Sequence, residues 1–342
     1  MRVGDLGEFA LIARLQSFLP DATSAQVIRG IGDDCAVLRP SPGAELLLTT
    51  DTQEENVHFR RQWATPEDIG WRCLAVNVSD IAAMAGHPLG AVVALSLPPD
   101  LDVAFVDGLY AGMQALARDY ACPIIGGNIT KSSEHVSVTI TVLGEVPQGQ
   151  GGYRSGAQAG DEIWVTGTLG GAKAGLEALL HPERVAALSV SYALARYRRP
   201  CPRLREAQYL RQQGVLHSLV DISDGLSSDL THICVASGVG AELEAEAIPM
   251  HNDVRQVAQA LQVDALHYAL HGGEDFELCL TAPPGRLAGL RAEFEQQFQS
   301  SLVRVGTVQP GSGVRLVMAD GLQIALSARG YDHFQSSGSL SF

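Results

Sequence analysis

Lysine is almost missing from this 342-residue chain: Lys131 and Lys173 are the only two. Arginine carries the positive charge, and acids still outnumber bases 38 to 24, for a formal net charge of −14. A protein that neutralises duplex phosphates needs a basic footprint, and none is visible, so no nucleic-acid partner is expected. Paired cysteines are missing too. Cys35, Cys73, Cys122, Cys201, Cys234 and Cys279 are scattered with no C-x-x-C pair. That excludes a zinc ribbon or a disulfide frame and suits reduced thiols in the cytoplasm. Long apolar runs are also lacking. The most apolar stretch, Ile81 to Leu97, is broken by His87 and Pro88, too short between breaks to span a bilayer. The first apolar stretch carries Asp5 and Glu8, so neither a signal peptide nor a membrane partner is expected.

Apolar residues make up 46% of the chain, enough for real cores, and the length suggests two domains. The strongest linker is Pro147-Gln148-Gly149-Gln150-Gly151-Gly152, which predicts domains at 1–148 and 149–342. Strand and helix patterns alternate in both halves, an α/β (α+β) organisation. Asp5 and Glu8 have capping-box spacing ahead of a helix bearing Phe9, Ile12, Leu15 and Leu19. Glu45–Thr50 reads as a strand with Asp51 at its end. Thr65-Pro66-Glu67-Asp68 starts a helix in which Asn77 and Asp80 share one face and line a site. Pro123-Ile124-Ile125 reads as a short strand entering a loop over 126–132. Asp102–Tyr120 and Arg203–Gln213 read as helices, Glu162–Thr166 and Val220–Ser223 as strands.

The acids are placed unusually. Asp33 and Asp34 follow Gly30-Ile31-Gly32, Asp51 follows an apolar strand, and Asp80 lies on a mostly apolar helix. Asp221 and Asp224 flank Ile222-Ser223, and Glu274-Asp275 follow Gly272-Gly273. Each alone also reads as something ordinary: a solvated turn, a strand-end turn at Asp51, a buried hydrogen-bond acceptor at Asp80 or an N-cap at Asp224. Together, so many acids beside apolar segments suggest oxygen-ligand sites for a hard cation such as Mg²⁺. Gly167 to Lys173 has P-loop spacing in part but carries Ala172 and Ala174 where the motif needs Gly and Ser or Thr. It remains a glycine-rich helix start of the kind that holds phosphate.

The wider pattern resembles the thiamine-monophosphate kinases. Their superfamily of ATP-dependent enzymes includes aminoimidazole ribonucleotide synthetase, selenophosphate synthetase and a hydrogenase-maturation protein. The resemblance rests on Gly30–Ala36, Thr49–Thr52, Asn56-Val57-His58-Phe59, Ala75–Met84 and Arg154–Ala157. It continues through Val165–Gly170, Asp221–Leu226, Gly272–Leu278 and Gly330-Tyr331-Asp332-His333-Phe334. The His58 segment and the Tyr-Asp-His-Phe ending are closer to the thiamine-monophosphate kinases than to the wider superfamily. No reactive cysteine of the selenophosphate synthetase kind stands near the N-terminus.

The resemblance implies a two-domain aminoimidazole ribonucleotide synthetase-like fold with mixed sheets and flanking helices. It implies a homodimer whose N-terminal domains pair into a barrel, with the C-terminal domain completing the active site. It implies Mg²⁺, several ions per site, at Asp34, Thr49, Thr50, Asp51, Asp80, Asn128, Asp221 and Asp224. ATP would contact Gly127, Asn128, Arg154 and Ser223, and thiamine monophosphate would contact His58, Glu274 and Tyr331. Its cationic thiazolium would sit against Tyr331 or an aromatic such as Trp63. Asn128 and Gly171 stand where the family often has Asp. The implied reaction passes the γ-phosphoryl of ATP to a phosphate oxygen, which is already ionised and needs no general base. Another ATP-dependent superfamily activity and a non-catalytic nucleotide or metal binder are the alternatives.

Overall fold

The computed structural model describes residues 1–20 and 22–327. Its chain contacts divide it into two compact units. One comprises Met1–Ile81 and Gly86–Gln150, the other Ala82–Ala85 and Gly151 onward.

In the first unit the elements run α1 (Val3–Leu6), α2 (Glu8–Phe18), β1 (Val27–Arg29), β2 (Val37–Leu38) and β3 (Ala44–Glu54). They continue with α3 (Pro66–Ala83, whose last two residues fall in the other unit), β4 (His87–Leu97), α4 (Val103–Asp119), β5 (Ile124–Lys131) and β6 (Ser137–Pro147). A four-stranded sheet has the order β3-β6-β4-β5, with β4 and β5 parallel and the other pairs antiparallel. β1 and β2 form a separate antiparallel pair. Alternate residues of β6, Val138, Ile140 and Val142, are fully buried, as a half-buried strand requires.

The N-terminal helix differs from its expected form. Gly7, at φ +80°, splits it into α1 and α2, and Asp5 caps backward by accepting the Arg2 N–H at 3.2 Å. Leu11 and Leu15 are the buried positions, and Phe9 is 83% exposed. The α3 start behaves as expected. Thr65 Oγ1 accepts the Asp68 N–H at 3.2 Å, and Asp68 accepts the Thr65 N–H at 3.4 Å.

β5 corrects the expected 126–132 loop: it continues as strand through both glycines. Gly127 makes this possible, because a Cβ there would lie 2.2 Å from the Val93 carbonyl oxygen of β4. β3 likewise runs three residues past Asp51, which is paired with Ile140 inside the ladder instead of ending the strand.

The second unit contains β7 (Glu162–Thr166), α5 (Gly171–Leu180), α6 (Pro182–Val185), α7 (Ser191–Arg198), α8 (Leu204–Gln212) and β8 (Ser218–Asp221). These are followed by α9 (Leu226–Ser237), β9 (Gly240–Glu244), α10 (Asn252–Leu261), α11 (Ala265–His271) and β10 (Leu278–Ala282). The last elements are α12 (Arg286–Phe298), β11 (Leu302–Gln309), β12 (Gly313–Val317) and β13 (Gln323–Leu326). The mixed seven-stranded sheet has the order β13-β12-β9-β11-β7-β10-β8. β7 and β10 are central and mostly buried, and Ile163, Val165, Val220 and Cys279 join α9 in one core.

Candidate active site

The first unit brings three expected residues together. Thr49 and Asp51 alternate on β3 and so share a face of the sheet. The Thr49 hydroxyl donates to the Asp80 carboxylate, which α3 supplies. Asp80 is also hydrogen-bonded to the Asp51 carboxyl. Partial burial raises the Asp51 pKa above the usual carboxylate range, and the Asp80 bond works against that rise. Two carboxyl groups this close call for a shared proton or a cation. Thr50 points to the other face, where its hydroxyl donates to the Ile140 carbonyl at 3.2 Å and accepts from Thr141 at 3.0 Å. Asn77 does not line an open site with Asp80. It is fully buried and turns back on its own helix, donating to the Cys73 carbonyl at 3.1 Å.

Asp33 and Asp34 lie exposed in their turn. Asp33 pairs with Arg29 at 2.6 Å and accepts the Asp34 N–H at 3.0 Å. Among the described residues the Asp34 carboxylate bonds to neither Asp51 nor Asp80. Gly127 and Asn128 lie exposed on β5 and line a cavity of about 120 Å³ with Ile12, Leu15, Ile31 and Tyr110. That cavity joins the first Gly-x-Gly turn to the second pair of glycines. His58 Nδ1 accepts the Glu54 N–H at 3.0 Å, which fixes the ring's orientation. The Trp63 face is covered by the Arg60 guanidinium, 4.3 Å from the ring centre, so a second cation would have to displace it.

In the second unit, β8 ends in buried Asp221, and the chain turns through Ser223 and Asp224 into α9. Asp229, one turn into α9, reaches back and accepts the N–H groups of Asp224 at 3.1 Å and Gly225 at 3.0 Å. Burial, with Asp221 and Asp224 nearby, pushes the Asp229 carboxyl up to about 8. Ligand atoms of Asp224, Asp229 and His232 lie within 4.8 Å of one another. Glu274 sits beside this turn, its N–H donating to the Ser223 carbonyl at 2.7 Å. Arg154 is exposed, and its carbonyl accepts the Ser237 hydroxyl at 3.2 Å. Tyr331 lies outside the described residues.

The glycine-rich start of α5 is not open for a phosphate. Its Gly170 and Ala172 N–H groups donate to the buried Asp275 carboxylate, at 2.7 and 3.3 Å. An internal carboxyl group already occupies that helix N-terminus.

Residues 32–146 match the family model for the AIR synthase related protein N-terminal domain, and residues 158–319 match the model for its C-terminal domain. The chain is 34% identical to the thiamine-monophosphate kinase of Aquifex aeolicus, covering 98% of this chain and 100% of that protein. It is 37% identical to that of Escherichia coli K12, covering 96% and 98%. The chain belongs to the thiamine-monophosphate kinase family. A solved member, from Stenotrophomonas maltophilia K279a, superposes with a TM-score of 0.80 at 35% identity, covering 92% of this chain and 97% of that one. A structure of AaThiL complexed with AMPPCP and TMP superposes at 0.74 and 34% identity, covering 98% and 99%. Structures of the hydrogenase maturation protein HypE share the fold at 20% identity, with a TM-score of 0.76 for the ATP complex.

Within this thiamine-monophosphate kinase family framework, three groups escaped the sequence reading: Asp229, Glu277 and the arginines Arg196 and Arg203 that pair with Glu277; Asp275, grouped there with the cation-site acids, instead binds the start of α5. The available signal was alternation. In Glu274-Asp275-Phe276-Glu277, acids flank a buried aromatic just before a buried strand, and acids in such a place need partners. The partners lie 74 and 81 positions away, which no local pattern announces.

Proposed function

We propose that this chain transfers the γ-phosphoryl group of ATP to the phosphate of thiamine monophosphate, forming thiamine diphosphate and ADP. The observation that carries this is the end-to-end kinship with AaThiL, whose complex holds AMPPCP and TMP, the chemistry of a donor and an acceptor. The acceptor oxygen is already ionised at neutral pH, so the chain needs no general base. Its task is to hold two polyanions together. At 4 Å, two like charges repel by roughly 4 kcal/mol at an effective dielectric of about 20. Mg²⁺ ions, when bound, would screen that repulsion and polarise the transferring group.

The donor set suits such ions. Asp51 and Asp80 already need a shared proton or cation, and Thr49 adds a hydroxyl to Asp80. We assign Asp34, Thr49, Thr50, Asp51, Asp80 and Asn128 in the first unit, with Asp221 and Asp224 in the second, to the metals. Gly127, Asn128, Arg154 and Ser223 would contact ATP. His58, Glu274 and Tyr331 would hold thiamine monophosphate. The domain boundary falls at 148/149, with the N-terminal part serving metal, ATP and dimerisation and the C-terminal part completing the active site.

We also propose a homodimer. β3 is an edge strand of the first unit's sheet, and its Leu46 and Leu48 are 59% and 73% exposed. A long edge strand bearing exposed leucines is suited to pairing with another sheet. We place the protein in the cytoplasm, supported by its six free cysteines. Among the described residues no helix is long and apolar enough to cross a membrane.

The test is an ADP-release assay with ATP, Mg²⁺ and thiamine monophosphate, with free thiamine as control. Thiamine diphosphate formed only from the monophosphate is the expected result. Tight Mg·ATP binding with no turnover of the monophosphate would overturn the substrate and leave the family.

A further inference from the structure

The segment that presents Glu274 is strained. Gly273, Glu274 and Phe276 all lie in the left-handed region, at φ +66°, +59° and +49°. A glycine accepts that conformation, but Glu and Phe do so only where the surroundings over-determine it. Two buried acids provide the constraint. Asp275, 1% exposed, accepts the Gly170 and Ala172 N–H groups at the start of α5. Glu277, fully buried, accepts four hydrogen bonds: one from Thr166 at 2.7 Å, one from Arg196 at 2.8 Å, and two from the Arg203 fork at 2.6 Å. Arg196 also donates to the Asp275 carbonyl at 2.5 Å. The Glu277 carboxylate fills the space that a Cβ on Gly167 would need, 2.3 Å from its nearest oxygen, so the β7–α5 turn is shaped around it.

On the other side the segment is tied by backbone hydrogen bonds. The Glu274 N–H donates to the Ser223 carbonyl at 2.7 Å, and the Phe276 N–H to the Ile222 carbonyl at 2.9 Å. The four residues are thus clamped between the α5 N-terminus and the Ser223–Asp224 turn, with the Glu274 side chain as the one acid of the segment that is not buried.

We propose that Asp275 and Glu277 are positioning residues for substrate recognition: they hold Gly273, Glu274 and Phe276 in their left-handed conformations, and so fix the backbone from which Glu274 is presented beside the Ser223–Asp224 turn. This rests on the role given to Glu274 above. Both acids are buried, so they act through the segment they hold. Four hydrogen bonds on Glu277 and two on Asp275 are too demanding for groups that only fill a core, and one carboxylate facing two arginines and a hydroxyl leaves the loop a single arrangement.

The test is Asp275→Asn, whose amide offers one acceptor to two N–H donors. The expected result is a KM for thiamine monophosphate raised about tenfold, the KM for ATP changed less than about twofold, and faster amide exchange at Glu274 and Phe276. In a Glu274→Gln background, Asp275→Asn should add no further rise, because both changes act through one carboxylate. Additive effects, equal rises in both KM values, or a lower melting temperature with unchanged KM and unchanged exchange would each overturn the proposal. If Asp275→Asn does not fold, Thr166→Val, which removes the bond to Glu277 and the one accepted from the Leu278 N–H, is read in the same way. A wild-type chain inactive on thiamine monophosphate would refute the function alone, since amide exchange still reports whether Asp275 holds the loop.

Discussion

The carboxyl groups of Asp51 and Asp80 are hydrogen-bonded to each other, although one comes from the middle of β3 and the other from α3. Two acids in contact are stable only with a proton or a cation between them. In the proposed enzyme that cation is Mg²⁺. Asp51→Ala and Asp80→Ala should each abolish phosphoryl transfer while leaving a cooperative unfolding transition. Near-normal turnover at saturating Mg²⁺ in either variant would remove the metal role.

Asp275 supplies a pH signature. Burial raises its pKa to about 7, with the Gly170 N–H and Arg196 acting against the rise. A carboxyl whose folded pKa exceeds its unfolded one binds its proton more tightly in the fold. Its contribution is fully present below pH about 4 and is lost as pH rises through about 7. Melting temperatures of the wild type and Asp275→Asn, measured from pH 4.5 to 7.5, should therefore converge as pH rises. A gap that stays constant would show that Asp275 does not change its protonation state across that range.

Gly127 is a position where any side chain collides with backbone. Its Cβ would meet the Val93 carbonyl oxygen at 2.2 Å, whereas a Cβ on Gly126 meets only a Val92 methyl at 3.1 Å. Gly127→Ala should destabilise by about 1–3 kcal/mol, as overpacking does. Gly126→Ala should cost less. Chemical denaturation of both variants separates them, and equal midpoints would contradict the close β4–β5 approach.

Leu48→Glu places a charge on the exposed face of the edge strand β3. Sedimentation should find a dimer in the wild type and a shift toward monomer in the variant, with little loss of monomer stability because Leu48 is 73% exposed. An unchanged dimer would move the interface elsewhere.

Local chemistry was legible wherever a short pattern is decided by its own neighbours. Thr65-Pro66-Glu67-Asp68 announces α3 because Thr65 and Asp68 satisfy each other's N–H groups. The β7 boundaries follow from a compact apolar run. Patterns resting on distant partners were misread. The glycines at 126 and 127 suggest a loop until β4 is beside them, and Phe9 looks like a core residue until Leu11 and Leu15 take the buried side. Gly167–Gly171 suggests an anion site, and the group that fills it turns out to be the Asp275 carboxyl, more than a hundred positions away.

By itself, the sequence determined the family, the mixed α/β composition and the list of acids close to apolar segments, because all three are carried by residue type and short spacing. Only the tertiary structure decided which of those acids meet. Asp51 joins Asp80, Asp229 reaches back to Asp224, and Glu277 gathers Thr166, Arg196 and Arg203. The reason is physical. Whether a carboxylate is solvated, capped, paired or sharing a proton depends on burial and on donors brought by other elements, and those distances exist only once the chain has folded.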